Sequence, residues 1–375
     1  MSSLSSLCFC PSVLIFIIPA PQHVVVVYSR ATKMVVADFN VVTQKMIGAP
    51  LFAQEHPVGF KADAHSNRGA LSEAIRAQGL RKIRWFADEA RKLGATEVCG
   101  VATEVFRTAK HGEHFLADVK KETGVPIKII PQEHEARLGF ATASVLLGSD
   151  SKLPEEVAVW DSGGGSFQIT CGCPQNFSSL NAFTGRLGTI PSYHELLATV
   201  QNKPNYQMGD SPNPVSLPQA QALIACLVDK LAPVPQWWRP GESAVAIGGQ
   251  NSLFAVTHRA LQASVVESKQ QSHLPEEGTY NELSTVKVKP FGVAEGEAAL
   301  RFVVEKSDKE LLSIAGTNAQ ADPPSVVIPK IALFLAVAKH LSLSEVVYLP
   351  CTGGCAGLMS IGEWQPFNSS EPASL

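Results

Sequence analysis

Val157-Ala-Val-Trp-Asp161-Ser-Gly-Gly-Gly-Ser166-Phe-Gln-Ile169 runs an apolar strand into one carboxylate, then a glycine turn, then a second strand. Lacking Cβ atoms, Gly163, Gly164 and Gly165 let backbone N–H groups approach a ligand closely and adopt φ > 0. Consecutive N–H groups of this kind form an anion nest. Asp161, at the strand end beside that nest, suits a divalent cation held against a phosphate. The chemistry suggested is phosphate with magnesium. A glycine hairpin turn that binds nothing fits the same tripeptide.

The pattern on either side of this stretch is alternating strand and helix. Upstream, Val24 to Tyr28 reads as a buried strand and Lys33 to Phe39 as a second, a plausible hairpin that residues 43–57 extend. Ser72 opens a helix whose stripe is Leu71, Ile75, Leu80, Ile83, Phe86 and Ala87, closing at Gly94. A strand over Glu97 to Ala102, a helix over His114 to Glu122, a strand over Ile127 to Ile130 and a helix over Glu133 to Leu147 follow. After a polar hinge, Gly148 to Glu156, the order restarts with strand, glycine turn and strand. A helix over 216–231, a strand over Ala244 to Ile247 ending in Gly248-Gly249, and a polar loop over 265–290 come next. A helix over Ile328 to His340 leads to a strand over Glu345 to Leu349 and to Thr352-Gly353-Gly354. Two α/β halves that each begin strand–turn–strand predict a duplication with a ligand between the halves.

Composition agrees with a well-buried protein. The chain has 375 residues, 45% apolar and 17% charged, with a formal net charge of −3. That is long enough for two cores and lacks the basic field expected of a nucleic-acid binder. The eight cysteines are scattered, with no Cys-x-x-Cys and no zinc-finger spacing, so the expectation is free thiols in a reducing, cytoplasmic compartment. Val13 to Ile18 is far too short to span a bilayer, which leaves residues 1–22 as a disordered tail or targeting segment. The division read from the chain is 23–148 for an N-terminal α/β domain, 149–365 for a C-terminal one, and a tail over 366–375.

Four motifs in this order resemble the exopolyphosphatase / guanosine pentaphosphate phosphatase family. They are Val101-Ala-Thr-Glu-Val-Phe-Arg107-Thr-Ala, Glu133-His-Glu135-Ala-Arg137-Leu, Trp160-Asp161-Ser-Gly-Gly-Gly-Ser166 and Ala246-Ile-Gly-Gly249. The resemblance covers roughly residues 31–358. It implies two duplicated actin-like domains of the actin–hexokinase–Hsp70 superfold with an interdomain cleft. The implied activity is a phosphoanhydride hydrolase that removes terminal phosphate from inorganic polyphosphate or guanosine pentaphosphate with Mg²⁺. The partners implied are those phosphate compounds, with no nucleic acid and no membrane; a homodimer stays open.

The resemblance also implies roles. Glu135 matches the catalytic glutamate, general base for the attacking water. Asp161 would hold Mg²⁺, and Gly163, Gly164, Gly165 and Ser166 would donate to phosphate oxygens. Arg107 matches a phosphate clamp, with Thr103 capping or contacting the same loop, and Gly248 and Gly249 match a second glycine turn. From the residues alone, Glu135 also suits a helix N-terminus, Arg107 a surface salt bridge, and Gly248-Gly249 a plain tight turn. His134 reads as a helix-surface residue, and Trp237-Trp238 as core or rim packing.

Two departures weaken the site. Counting back from Lys33, the first phosphate loop should place an aspartate at Val26 and a glycine at Tyr28, and only Ser29 survives. Gln168 stands where the family has a glutamate. A mis-joined gene start upstream of Ala31 accounts for the first departure; so does a pseudo-enzyme that binds polyphosphate or nucleotide without turnover. A sugar or acid kinase, using Ala246-Ile-Gly-Gly249 for ATP, is a further reading.

Overall fold

The computed structural model describes residues 22–27, 31–40, 45–95, 97–147, 156–173, 176–207, 209–271, 289–316, 322–351 and 354–360. Most of the N-terminal tail, Tyr28 and Ser29, nearly all of the 148–156 hinge, Thr352-Gly353 and the 366–375 tail lie outside them.

The first half of the chain runs β1 (Gln22–Val27), β2 (Ala31–Asn40), β3 (Lys45–Pro57), α1 (Phe60–Ser66), α2 (Glu73–Lys92), β4 (Glu97–Ala102), α3 (Glu104–Thr108), α4 (Gly112–Thr123), β5 (Ile127–Ile129) and α5 (Gln132–Leu147). The second runs β6 (Val157–Ser162), β7 (Phe167–Cys173), β8 (Asn176–Gly185), α6 (Thr189–Glu195), α7 (Leu217–Val228), β9 (Ala244–Gly248), α8 (Leu253–Gln271), α9 (Val293–Val303), α10 (Asp308–Ala315), α11 (Val327–His340), β10 (Val346–Pro350) and α12 (Cys355–Ser360). The helix read over His114 to Glu122 starts earlier, at Gly112. α8 continues to Gln271, through residues whose polar composition predicted a loop from 265 onward.

Each half forms a five-stranded sheet, in the orders β3-β2-β1-β4-β5 and β8-β7-β6-β9-β10. The pairings repeat as well. β1–β2, β2–β3, β6–β7 and β7–β8 are antiparallel, while β1–β4, β4–β5, β6–β9 and β9–β10 are parallel. This is the expected duplicated α/β fold. The repeat extends to hairpin register. Val27 faces Thr32 and Val26 faces Lys33 in the first hairpin; Ser162 faces Phe167 and Asp161 faces Gln168 in the second. Val26 is therefore the topological counterpart of Asp161, as the count along the sequence had it, and Lys33 is the counterpart of Gln168.

Each sheet has its own core. In the second, Trp160 is fully buried, edge-on to Phe254 at 5.0 Å and stacked on Phe334 at 5.7 Å. α11 is apolar on every side and is buried along nearly its whole length. Trp238 belongs to this core and donates its ring N–H to the Leu341 carbonyl at 2.7 Å. In the first, Phe60 packs edge-on to Phe106 and tilted on Phe115, which stack on each other.

The two halves exchange helices at the cleft. α5 lays Phe140 and Ala143 on Val157, Val159 and Ile247 of the second sheet. α12 crosses α5 so closely that the Gly357 N–H donates to Thr142 Oγ1 at 2.8 Å, and α12 also reaches β1, β2 and β3. A Cβ at Gly357 would overlap the Leu138 carbonyl. The side chains of α5 are thereby fixed relative to both sheets.

α2 starts where the sequence placed it. Ser72 Oγ accepts from Ile75 N–H at 3.2 Å, and the Ser72 N–H donates to Asp63 at 2.8 Å. Loss of this cap in Ser72→Ala costs about 1 kcal/mol of stability, measurable as a lower urea midpoint with an unchanged slope; no shift would show that the cap is replaced by water.

Candidate active site

The quoted hairpin turn is closed by the Gly163 N–H, which donates to the Ser166 carbonyl at 2.9 Å. It is then clamped from outside. The N–H groups of Thr189 and Ile190, at the start of α6, donate to the carbonyls of Gly163 and Gly164 at 3.3 and 2.8 Å. Gly188 lies so close that an added Cβ would sit 2.6 Å from both the Gly164 carbonyl carbon and the Gly165 nitrogen. Among the described residues the positive-φ glycines are Gly69, Gly94, Gly124, Gly209, Gly241 and Gly316. None belongs to the triplet, so the expected φ > 0 is corrected. Space is tight at Gly165. A Cβ on Gly165 would run into the Glu104 carboxyl, 2.9 Å from its carbon.

Asp161 ends β6 beside this turn and rests against α5. A Cβ on Gly139 would lie 3.5 Å from Asp161 Cβ and 3.8 Å from its Oδ2. Glu135 lies one helical turn before Gly139 on the same helix. Its carboxyl is buried at 7% exposure and accepts from both Nη1 and Nη2 of Arg107 at 3.1 Å. Arg107 Nη1 also donates to the Ile130 carbonyl at 2.7 Å. The arginine is thus a partly buried partner of Glu135 rather than a surface salt bridge. Thr103 takes the N-cap position of α3, yet its side chain makes no capping bond.

Electrostatics mark the same group. Burial raises the Glu135 carboxyl, Arg107 partly offsets this, and Asp161 adds to it, with the result near 7. A carboxylate at a helix start is ordinarily stabilised by the helix dipole. Removal from water outweighs the dipole here. Asp161 is also raised, by burial first, against the pull of Lys33. Lys33 is raised in turn: burial works against its charge, and the carboxylates of Glu55 and Asp161 overcome that.

Four residues of this pocket escaped the sequence reading. Lys33 Nζ lies 3.4 Å from Glu55 Oε2. Glu55, from β3, reaches across to the second glycine turn, where a Cβ on Gly249 would collide with its carboxylate. That turn is held from behind by the Tyr348 hydroxyl, which donates to the Gly248 and Gly249 carbonyls at 3.0 and 3.1 Å. Glu104 pairs with Lys61 through one oxygen, and its other, buried oxygen has no hydrogen-bond partner. Gly188 is the fourth. Glu104 sits inside a quoted motif and Gly188 directly precedes a helix, which are the only local signals; Lys33 and Glu55 carry none.

The magnesium expectation needs a donor set. Of the hairpin positions matched by register, Asp161 is a carboxylate, Val26 is not, and Gln168 donates its amide N–H to Ser166 Oγ at 3.2 Å. Among the described residues no group of three or more His, Cys, Asp or Glu could hold a metal ion. Mg²⁺ prefers a near-octahedral oxygen shell anchored by carboxylates, and the paired hairpin positions supply only one, which fits it poorly. His111 and His114 are exposed, with ring centroids 6.4 Å apart.

Residues 41–200 match the Ppx/GppA phosphatase family, and three of the four motifs read from the sequence fall within that stretch. The fold is that of the Aquifex aeolicus Ppx/GppA family member, at 18% identity and a TM-score of 0.63, over 94% of this chain and 99% of that one. An exopolyphosphatase from Cytophaga hutchinsonii superposes with a TM-score of 0.66 at 15% identity, over 91% of this chain and 98% of that one. Among the described residues no helix is long and apolar enough to cross a membrane.

Proposed function

We propose that this chain, which carries the Ppx/GppA phosphatase pattern over residues 41–200, hydrolyses a phosphoanhydride and releases terminal phosphate from inorganic polyphosphate or guanosine pentaphosphate. One observation carries the reading. Glu135 is buried, gripped by Arg107 and titrates near 7, one helical turn from the point where Asp161 rests on α5. A base poised near neutral pH, inside a cleft, is what water activation requires.

In this reading the terminal phosphoryl group lies against the 163–166 turn. The N–H groups of Gly164, Gly165 and Ser166 face its oxygens, while that of Gly163 keeps the turn closed. Ser166 Oγ accepts from Gln168, which leaves its O–H to donate. Glu135 takes a proton from water as the water oxygen bonds to phosphorus. The bridging P–O bond breaks, and the shortened chain departs as an oxyanion. Arg107 is a positioning residue: it fixes the carboxylate and keeps part of it ionised.

The pH dependence follows. Only ionised Glu135 accepts the proton, so phosphate release rises with pH through a midpoint near 7. Arg107 lowers the Glu135 pKa, so Arg107→Met moves that midpoint upward. A malachite-green profile of both proteins checks this. An unmoved midpoint would separate Arg107 from the base. Comparing polyphosphate, guanosine pentaphosphate and ATP in the same assay tests the substrate class, and release from polyphosphate without ATP removes a kinase.

A second reading is a phosphate-chain binder without turnover. Glu104 favours it, because its unpartnered carboxyl oxygen stands against Gly165 and opposes an incoming anion. Polyphosphate binding by the wild-type chain with no release would decide for it.

A further inference from the structure

We propose that Lys33 takes the place of a divalent cation beside Asp161, so that this pocket is charged from within the chain. The ligand, a terminal phosphoryl group, is taken from the function proposed above; the claim about the cation stands on other observations.

The repeated hairpins set the comparison. Asp161 and Gln168 face each other in one, Val26 and Lys33 in the other. Of these four positions, one carries a carboxylate and one an ammonium. The Gln168 amide is spent on Ser166. Lys33 is half-buried, its side chain 14% exposed, on the strand that lies between β1 and β3. Its partner Glu55, on β3, touches the Gly248-Gly249 turn of the other lobe. The Lys33–Glu55 pair is therefore carried from the first sheet to the edge of the second, where Asp161 ends its strand. Asp161 is in register with Ile247, the residue directly before that turn.

The consequence is competition. A metal at Asp161 must displace or face an ammonium that is already paired with Glu55. Two cations within a few ångströms in a partly dehydrated site repel each other, and the repulsion is little screened there. An ammonium, being a compact point charge with three N–H donors, can serve a phosphate oxygen in the metal's stead.

Manganese titration followed by electron paramagnetic resonance separates the alternatives without turnover. The wild-type chain should bind no stoichiometric Mn²⁺. Lys33→Met leaves Glu55 and Asp161 without their counter-charge, and its Mn²⁺ affinity should rise by about tenfold or more. Adding Asp161→Asn should abolish the gain. A stoichiometric Mn²⁺ site in the wild-type chain that Asp161→Asn removes would overturn the inference. So would a Lys33→Met protein that melts like wild type and gains nothing. In the phosphate-release assay, excess chelator should change the wild-type rate by less than about twofold if no metal is held, against orders of magnitude where a metal stabilises the transferring group. Absence of release under every condition counts against the polyphosphate reading, and the Mn²⁺ titration still decides the role of Lys33.

Discussion

Glu135→Gln lowers phosphate release by about 10²- to 10⁴-fold, the usual contribution of a positioned base, while polyphosphate binding changes little. The substitution keeps shape and keeps an oxygen for the Arg107 fork, which now meets the carboxylate at 3.1 Å from both of its terminal nitrogens. What it removes is a group that accepts a proton near neutral pH. Kinetics and calorimetry on the same preparation separate the roles. A loss in binding with an unchanged rate constant would make Glu135 a substrate-holding group. A fall of less than about tenfold would leave water activation to some other residue.

The second large effect is expected at Gly188→Ala. Gly188 is extended, with φ −141 and ψ −169, so alanine suits its backbone conformation. The difficulty is steric. The new methyl would lie 2.6 Å from two backbone atoms of the 163–166 turn, and backbone clamped by Thr189 and Ile190 cannot yield as a side-chain end can. Overpacking of this kind costs about 1–3 kcal/mol. Phosphate release should fall further than stability, because displacing phosphate donors by about 1 Å costs on the order of 10²-fold. Gly163→Ala is the control: its Cβ would meet the Ser166 carbonyl at 3.7 Å, an ordinary contact. Equal behaviour of the two variants in melting and rate would show that the clamp on the turn is not what organises it.

The parts of the fold with strong local signals were legible. The hairpin strands, α2 with its Ser72 cap, β4, β5, α5, β6, β7, β9, α11 and β10 all carry continuous apolar runs or a helical stripe. β8 does not. Asn176–Gly185 is a sheet-edge strand whose sequence carries two serines and two asparagines, a composition shared with loops. α8 runs to Gln271 although Val265 and Val266 are exposed. A stretch so polar carries no apolar stripe, so it reads as loop. α9 and α10 lie in a stretch to which no element was assigned.

The site divides in the same way. Glu135, Arg107 and Asp161 stand within short motifs whose spacing is visible along the chain. Lys33 and Glu55 owe their place to strand pairing on one sheet and to contact with a glycine turn nearly two hundred residues later. No window of sequence contains both ends of such a contact. Arg107 was visible, and its task was not, because its partner was fixed only when α3 and α5 came together. The φ > 0 expected of the glycine triplet shows the converse limit: at Gly165 what the fold limits is room, not backbone angle.

A crystal structure of the Glu135→Gln variant grown with tripolyphosphate tests the central claim most directly. The terminal phosphoryl group should lie between position 135 and the 163–166 turn, with Asp161 and Lys33 lining the same pocket. Tripolyphosphate bound elsewhere, or a closed cleft in which Glu104 fills the space beside Gly165, would contradict it.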